Sequence, residues 1–454
     1  MGDSEPSLSE RLRLAARPTG VELAIRAVPR RECQRTLGIM NVGIVGLGYV
    51  GLPLAMSFCE AGHTVIGVDV DPRKIGSLQR GESYIEDVPS EQLRSVSDRM
   101  FPTLRFPELS RCEAVIIAVP TPLTPNREPD LGPLLSAAAA ITAVLQRGQL
   151  IVLESTTYPG TTRERLVPLL EESGLAAGRD FNVAFSPERI DPGRIDYVMR
   201  NTPKVVGGLT DACLARAAEL YGEICDEIVK VSTPEVAELT KLLENIFRSV
   251  NIALVNELAV LCDGMGIDIW EVVNAASTKP YGFMRFEPGP GMGGHCLPVD
   301  PFYLAWRARE FNRPTDFIEL AGEVNQSMPR FCAQKVATAL NADSKSVRGS
   351  RVAVLGVSYK PGVGDLRESP ALKILRILAD DGAELCYHDD YVPELPEFGL
   401  QSQPLEDVLP SCDVAVIVTA HPNLDVDQVL ADAPLVVDFR GVTPSVGATN
   451  LVRL

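Results

Sequence analysis

The fold is decided at residues 42–51, which read Val-Gly-Ile-Val-Gly-Leu-Gly-Tyr-Val-Gly. A strand-like apolar run leads into a G-x-G-x-x-G pattern where a helix can begin, and Asp69 ends the next strand-like run. In this context the first glycine permits a tight turn, the second lets a pyrophosphate approach the backbone, and the third lets helix and strand pack closely. The stretch therefore predicts a dinucleotide-binding unit of strand, turn and helix.

The acidic residue at the end of the second strand indicates which dinucleotide is bound. Asp69 can accept hydrogen bonds from both ribose hydroxyls and would repel a 2′-phosphate, which favours NAD over NADP. Arg73 and Lys74 are nearby cations that could pair with a 2′-phosphate, so NADP remains an alternative ligand. A glycine turn that binds no ligand is the other alternative. The predicted NAD contacts in this domain are Gly46, Gly48, Tyr49, Val50, Gly51, Asp69, Lys74 and Thr121.

Short apolar runs alternate with helix-like stretches in two parts of the chain. Such alternation predicts an α/β fold in which crossover helices link parallel strands. We therefore expect two doubly wound, Rossmann-like domains. The strand-like runs are 42–45, 64–69, 114–119, 150–154, 183–185 and 204–206 in the first domain, and 351–357, 384–388, 413–419 and 435–439 in the second.

A long helix is predicted between these domains. It starts at residues 232–235, where a capping hydroxyl precedes a proline at the first helical position, and ends near Gly264 and Gly266. At 1.5 Å per residue it spans about 45 Å, which suits the spine of a homodimer; a connector within one chain is the alternative. Its predicted apolar stripe is Leu239, Leu242, Ile246, Val250, Leu254, Leu258 and Leu261.

These elements divide the chain into four parts. Residues 1–39 form an N-terminal extension, interpreted as an over-extended start or a poorly ordered tail, because its acidic residues disfavour a transit peptide. Residues 40–231 form the NAD-binding domain, and residues 232–345 form an all-α middle region that includes the long helix. Residues 346–454 form the second Rossmann-like domain.

Composition limits the class of function. The 454 residues carry a net charge of −17, so non-specific binding to nucleic acid is not expected. No apolar run approaches the roughly 20 residues of a membrane span, and no secretory signal is evident, which predicts a cytoplasmic protein. The ten cysteines contain no C-x-x-C, and Cys112, Cys386 and Cys412 lie in strand-like runs typical of reduced core thiols.

One cysteine lies in a different setting. Residues 288–301 read PGPGMGGHCLPVDP, a loop that no regular helix or strand tolerates, and four glycines precede Cys296. Glycines let a ligand approach the backbone closely, and Asp300 can serve a water or a neighbouring base. Cys296 is therefore a candidate nucleophile. His295 lacks a partner at metal spacing, His388-Asp389-Asp390 is typical of a solvated strand edge, and no metal is expected.

Two of these motifs together closely resemble the UDP-glucose/GDP-mannose dehydrogenase family. They are GLGYVGL at residues 46–52 and GMGGHCLPVDP at residues 291–301. Further matching stretches follow in the family's order: ESTTYPG at 154–160, SPER at 186–189, ELTKLLEN at 238–245, KPG at 360–362 and DLRES at 365–369. The resemblance covers residues 40 to about 454 and implies an NAD-binding domain, a helical spine and a UDP-sugar-binding domain.

The resemblance also implies roles for individual residues. Cys296 is the nucleophile, and Lys241 and Asn245, four residues apart on one helix face, stabilise oxyanions. The full catalytic set is Cys296, Lys241, Asn245, Asp300, Glu188 and Thr156. Thr156 and Arg367 join the NAD contacts. The substrate contacts are Glu188, Arg189, Lys241, Asn245, Tyr281, Phe283, Gly293 and Lys360, with Lys360 at the nucleotide's phosphates.

The implied reaction oxidises carbon six of a UDP-linked hexose from alcohol to acid with two hydride transfers to NAD. The intermediate aldehyde would hydrate or escape unless it were held, and Cys296 captures it as a thiohemiacetal whose oxyanion Lys241 and Asn245 stabilise. A second hydride transfer leaves a thioester. Water oriented by Asp300, with help from Glu188, hydrolyses the thioester to the uronic acid.

Departures from the family's motifs indicate the sugar. The UDP-glucose branch commonly carries a second Glu four residues after Glu188, where this chain has Pro192. The SPERIDPG stretch and KPYGF at 279–283 resemble the branch that acts on UDP-N-acetylhexosamines, so UDP-N-acetylglucosamine or UDP-N-acetylmannosamine is predicted. UDP-glucose and GDP-mannose stay open. A two-electron hydroxy-acid dehydrogenase would have no use for Cys296, and a non-catalytic binder would not need Lys241.

Overall fold

The computed structural model describes residues 38–124, 126–190, 196–294, 297–444 and 448–454. Three subjects of the sequence analysis lie outside these described residues. They are the N-terminal extension up to residue 37, the pair His295 and Cys296, and the 191–195 stretch that contains Pro192.

The first sheet has eight strands in the order β3-β2-β1-β4-β5-β6-β7-β8. Its strands are β1 Asn41–Val45, β2 Thr64–Val68, β3 Met100–Thr103, β4 Ala114–Ile117, β5 Leu150–Leu153, β6 Asn182–Phe185, β7 Lys204–Gly208 and β8 Ile228–Val231. The central strands are almost fully buried, as expected of a sheet covered by helices on both faces. The helices are α1 Gly51–Glu60, α2 Pro72–Gln79, α3 Ser90–Ser95, α4 Gly132–Thr142, α5 Val167–Glu171 and α6 Asp211–Gly222.

This sheet departs from the prediction in two ways. It is not entirely parallel, because β6 and β7 are antiparallel, with Ala184 opposite Gly208 and Phe185 opposite Gly207. A parallel return needs a crossover, and no helix occurs among the described residues between these two strands. The sequence analysis also missed β3 and β8. Both are edge strands whose side chains, apart from that of Met100, are exposed or half-buried, so their apolar pattern is weak.

The long helix α7, Pro234–Met265, has the predicted ends. The Thr233 hydroxyl caps the amide of Val236, Pro234 is the first helical residue, and Gly266 closes the helix at a left-handed φ of 69°. By length and composition α7 could also cross a membrane, which the sequence analysis did not anticipate. Its buried face nevertheless carries Glu238, Lys241 and other polar groups, as in the core helix of a folded protein.

The predicted apolar stripe of α7 is divided between two environments. Leu242 and Ile246 are buried in a cluster with Tyr158 and Tyr303. Four other leucines of the stripe are between 39% and 56% exposed. They are Leu239, Leu254, Leu258 and Leu261. The helix therefore buries one face inside the chain and leaves an apolar face uncovered by it.

The remaining middle helices are α8 Ile269–Ala276, α9 Asp300–Glu310 and α10 Asp316–Ala342, of which α10 packs along α7. The second sheet is parallel, in the order β10-β9-β13-β14-β15. Its strands are β9 Arg351–Leu355, β10 Glu384–His388, β13 Val414–Ile417, β14 Val436–Asp438 and β15 Leu451–Arg453, beside a short hairpin of β11 Glu394–Leu395 and β12 Leu400–Gln401. Its helices are α11 Pro370–Asp380, α12 Leu405–Val408 and α13 Val426–Asp432.

The structure confirms the prediction for the core cysteines and corrects the one for the strand end at residues 388–390. The prediction of reduced core thiols is confirmed for Cys112, Cys386 and Cys412, which are buried and free. The prediction of a solvated edge at residues 388–390 is wrong for Asp389. This carboxylate is buried, and it accepts hydrogen bonds from the imidazole of His421 and from the amides of the loop after β9.

Candidate active site

The glycine loop after β1 needs glycine at two positions for internal reasons. Gly46 has a φ of +94°, and a Cβ there would lie 2.5 Å from the carbonyl oxygen of Ala118. A Cβ on Gly51 would lie 1.8 Å from the carbonyl oxygen of Gly46. Gly48 has nothing within 4 Å of such a Cβ. The open side of the loop at Gly48 therefore fits the approach of a pyrophosphate at the start of α1.

The Asp69 carboxylate is hydrogen-bonded to the backbone of this loop. One carboxylate oxygen accepts the amide of Leu47 at 2.9 Å, and the other accepts the amide of Asp71 at 2.9 Å. Lys74 pairs with Asp69 at 3.2 Å, whereas Arg73 pairs with Asp71. Both cations that could pair with the 2′-phosphate of NADP are thus paired with carboxylates of the chain, and this arrangement fits NAD.

The second Rossmann-like domain contributes to the same place. The guanidinium of Arg367 lies 4.7 Å from the centre of the Tyr49 ring and pairs with Asp365 at 2.6 Å. Such an arrangement is a cation–π contact. The structure therefore places Arg367 beside the glycine loop, where the other predicted NAD contacts lie.

Substituting the two glycines should separate folding from cofactor binding. Gly51→Ala should lower the melting temperature, because its methyl group overlaps the Gly46 carbonyl and forces the turn to shift. Gly48→Ala should leave the melting temperature unchanged but weaken NAD binding at least about tenfold, because only the ligand approaches there. Thermal unfolding and calorimetric NAD titration measure the two effects. Equal loss of stability in both variants would contradict this account.

Loops at the carboxyl ends of the central strands connect the sheet to the helices. The hydroxyl of Thr121 donates to the carbonyl of Thr156 at 2.7 Å, and the hydroxyl of Tyr303 on α9 donates to the carbonyl of Thr121 at 2.7 Å. On α7, the buried carboxylate of Glu238 accepts the amide of Gly160 at 2.6 Å. Thr121 and Thr156 are thus held beside both α7 and α9.

A buried cluster forms where α7 meets the start of α9. The side-chain amide of Asn245 donates to Asp300 at 2.5 Å, and Lys241, one turn earlier on α7, is close enough for its charge to act on Asp300. Burial raises the pKa of Asp300 to about 6, and Lys241 and Asn245 oppose that rise. Three predicted catalytic residues from two helices are therefore brought together.

Glu188 faces the same cluster from the loop after β6. Its carboxylate accepts hydrogen bonds from the backbone amides of Arg189, at 2.8 Å, and Ile190, at 2.6 Å. Burial by itself would raise the pKa of Glu188, but Lys204, these backbone donors and Lys241 together hold it below its ordinary value. The side chain of Arg189 pairs with Glu244 on α7 at 2.7 Å. Glu188 is therefore a fixed, ionised carboxylate near Lys241.

The groups behind Glu188 were not predicted from the sequence. Lys204, the first residue of β7, pairs with both Glu188 and Glu154, and Tyr221 on α6 donates to Glu154 at 2.6 Å. All of these side chains except Glu188 are almost inaccessible. The available signal was weak: Glu154 directly follows a buried strand inside a family motif, and Lys204 begins another buried strand.

The loop after β9 carries Lys360 beside the described part of the glycine-rich loop. A Cβ on Gly293 would lie 2.6 Å from the Cβ of Tyr359, and the amide of Gly294 donates to the carbonyl of Arg367 at 2.9 Å. The ammonium of Lys360 lies 5.6 Å from the centre of the Tyr359 ring. Gly293 therefore packs against Tyr359, the residue that precedes Lys360.

Two predicted substrate contacts are not brought to this cluster within one chain. Tyr281 is 73% exposed and Phe283 is 41% exposed. Among the described residues, Lys279 lies over the ring of Tyr281, and no hydrogen bond or ring contact joins Tyr281 or Phe283 to Lys241, Asn245 or Asp300. Cys296 itself lies outside the described residues, and Asp300, four residues later in the sequence, is a member of the cluster.

A dinucleotide loop, a buried Lys–Asn–Asp cluster and a second Rossmann-like domain define the class as an NAD-dependent dehydrogenase with a second nucleotide site. The chain belongs to the UDP-glucose/GDP-mannose dehydrogenase family, whose NAD binding, central and UDP binding domains match residues 40–225, 235–327 and 353–445. It is accordingly an NAD-dependent nucleotide-sugar dehydrogenase. The predicted family, α/β fold class and cofactor are confirmed.

Individual relatives cover most of the chain. A UDP-N-acetyl-D-glucosamine 6-dehydrogenase of Pseudomonas aeruginosa is 38% identical over 78% of this chain and 83% of its own length. A UDP-N-acetyl-D-mannosamine dehydrogenase of Pyrococcus horikoshii is 37% identical over 85% of this chain and 90% of its own. A solved UDP-D-ManNAc dehydrogenase structure from Pyrococcus horikoshii gives a TM-score of 0.84 at 33% identity, covering 91% of this chain and 98% of that one.

Proposed function

We propose that this chain oxidises the 6-hydroxyl of a UDP-N-acetylhexosamine to the uronic acid in a four-electron reaction. The observation that carries the proposal is the buried cluster of Lys241, Asn245 and Asp300, which places donors and a carboxylate beside the loop that contains Cys296. The choice of sugar is supported by relatives that bear the names of UDP-N-acetylglucosamine and UDP-N-acetylmannosamine dehydrogenases. UDP-glucose is the alternative substrate.

NAD held at the glycine loop would supply the acceptor for the hydride that leaves carbon six at each oxidation, and a base of the site takes the hydroxyl proton, directly or through water. Cys296 adds to the aldehyde, forming a carbon–sulfur bond and a thiohemiacetal, and later leaves as the thiol when water attacks the thioester. Lys241 and Asn245 stabilise the negative oxygen in both stages, because fixed donors act strongly in a site closed to water. Ionised Asp300 and Glu188 hold the attacking water, whose oxygen becomes part of the product carboxylate.

The fall of kcat/KM on the acid side of the pH profile, its acid limb, should reflect the protonation of Asp300. Because burial raises its pKa to about 6, Asp300 is protonated below that pH and ionised above it. We expect kcat/KM to fall about tenfold per pH unit below pH 6, and Asp300→Asn to lose about 10²-fold at pH 8 together with that limb. Asp316→Asn, at the exposed start of α10, is the control. An unchanged limb in Asp300→Asn would reject this assignment.

A homodimer through α7 is part of the proposal. The apolar face that the chain leaves uncovered contains Leu239, Leu243, Phe247, Leu254, Leu258 and Leu261, whose spacing follows one side of the helix. Leu254→Asp combined with Leu261→Asp should convert dimers to monomers in light scattering at micromolar concentration. Leu104→Asp, at an exposed position in another domain, should not. A wild-type monomer would refute the dimer.

The remaining assignments follow from the same model of the enzyme. We place the NAD-binding domain at residues 40–231, the helical dimerisation domain at 232–345 and the UDP-sugar domain at 346–454. Because the substrate is a nucleotide sugar, we infer a cytoplasmic enzyme that supplies uronic acids for polysaccharide synthesis. The catalytic, NAD and substrate residues named in the sequence analysis are retained, with Tyr281 and Phe283 as the members that the single chain leaves apart from the cluster.

The stoichiometry of cofactor reduction tests the proposed function. Purified protein and NAD are combined separately with UDP-N-acetylglucosamine, UDP-N-acetylmannosamine, UDP-glucose and GDP-mannose, and NADH and sugar products are quantified. Two NADH per sugar from a UDP-N-acetylhexosamine is the expected result. One NADH per sugar would mean that the aldehyde is the product, and turnover with UDP-glucose alone would replace the substrate.

A further inference from the structure

A buried chain of polar groups lies behind Glu188, and the reaction described above assigns it no role. The Tyr221 hydroxyl donates to one oxygen of Glu154 at 2.6 Å, and the Lys204 ammonium donates to the other. Lys204 also lies 3.4 Å from the free side of the Glu188 carboxylate. Tyr221 and Glu154 are at most 1% exposed, and Lys204 is 3% exposed, so these contacts are made away from water.

The antiparallel turn of the first sheet explains how Lys204 reaches this place. A strand that ran parallel to β6 would begin at the opposite edge of the sheet from the active site. Because β7 runs against β6, its first residue lies at the carboxyl edge, beside the loop that follows β6. Continuing the register beyond Phe185 and Gly207 places Lys204 opposite Glu188. The reversed direction of β7 therefore places the Lys204 ammonium behind the loop that carries Glu188.

Lys204 is the ammonium that lies between the two carboxylates of this region. Glu154 and Glu188 are two carboxylates that face one ammonium, and Tyr221, Cys225 and, from α7, Lys241 are the other titratable groups around them. Burial raises the pKa of Glu154 to about 7. Two buried carboxylates without a cation between them cannot both stay ionised, since each disfavours the charge of the other.

We propose that Lys204 is a positioning residue that keeps Glu188 ionised and fixes its carboxylate toward the site, while Glu154 and Tyr221 anchor Lys204 from behind. The proposal rests on the proposed part of Glu188 in holding the attacking water. Glu188 is already bound on one oxygen by two backbone amides, and the Lys204 ammonium lies 3.4 Å from the second oxygen, which it holds from behind. Lys204 touches neither NAD nor sugar in this scheme.

Lys204→Met tests the proposal through the shape of the pH profile. In the wild type one carboxylate, Asp300, sets the acid limb of kcat/KM. In the variant the pKa of Glu188 should rise, because only Lys241 and the backbone amides then oppose the effect of burial, so the limb should move to higher pH and steepen from a slope of one toward two. We expect kcat at pH 7 to fall about tenfold or more with a smaller change in KM. Lys204→Arg should restore the wild-type slope.

Two further variants make the test decisive. Lys335→Met removes another largely buried lysine that is paired with a carboxylate, Asp263, away from the cluster, and should keep the wild-type profile. Lys204→Gln keeps the hydrogen bonds to both glutamates without the charge, and serves if Lys204→Met does not fold. A wild-type profile in either folded neutral variant would overturn the proposal. So would loss of folding in both, with Lys204→Arg normal, because Lys204 would then act in stability alone.

The wild-type reaction separates this proposal from the proposed function. Two NADH per sugar in the wild type, with unchanged profiles in the Lys204 variants, rejects the role of Lys204 and leaves the function standing. Absence of wild-type turnover with all four nucleotide sugars overturns both.

Discussion

The Cys296→Ser variant should form uronic acid at least about 10³-fold more slowly than the wild type. A serine hydroxyl is a poor nucleophile unless a base activates it, whereas a thiol is partly ionised near neutral pH. The aldehyde would therefore escape or remain as a slowly hydrolysed ester on the serine. Chromatography of the sugar products measures the rate of acid formation, and the intact mass of the protein detects a sugar adduct.

The control for this variant is a core cysteine. Cys386→Ala removes a buried thiol from the second Rossmann-like domain and should still give two NADH per sugar. Acid formation at the wild-type rate by Cys296→Ser would contradict capture by the thiol. It would leave oxidation of the free aldehyde hydrate as the route to the acid.

The parts of the fold that the sequence predicted are those encoded by local signals. The glycine loop at residues 46–51 and the ends of α7 at Thr233 and Gly266 depend on residues adjacent in the chain. The edge strands β3 and β8 escaped prediction because a half-exposed strand lacks a continuous apolar run. The direction of β7 also escaped, since strand polarity depends on how the connection folds and not on the composition of the strand.

The site divides in the same way. Lys241 and Asn245 could be paired from their spacing on one helix, and their contact with Asp300 follows from the family's motif. The contacts of Lys204 join it to Glu154, 50 residues earlier, through a strand reversal that no motif records. Tyr281 and Phe283 illustrate a limit of motif matching. The motif predicts that both contact the substrate, but in a single chain both side chains are exposed.

Lys241→Met should lower kcat about 10²- to 10³-fold, with a smaller effect on KM. The methionine side chain approximates the volume of lysine, so the substitution removes the charge while α7 keeps its packing. Lys241 is buried between Asp300 and Glu188, and the negative oxygen on the sugar would develop beside two carboxylates without a cation. Loss of this stabilisation acts on the transition state more than on bound substrate, which is why kcat should fall most.

The same substitution should move the acid limb of the pH profile. Lys241 opposes the rise in the pKa of Asp300, so its removal should raise that pKa beyond about 6 and displace the limb to higher pH. Lys230→Met, an identical substitution at an exposed residue of β8, should leave both kcat and the limb unchanged. A Lys241→Met enzyme with the wild-type kcat would show that the oxyanion is stabilised by other groups, and Asn245 would then be the first to examine.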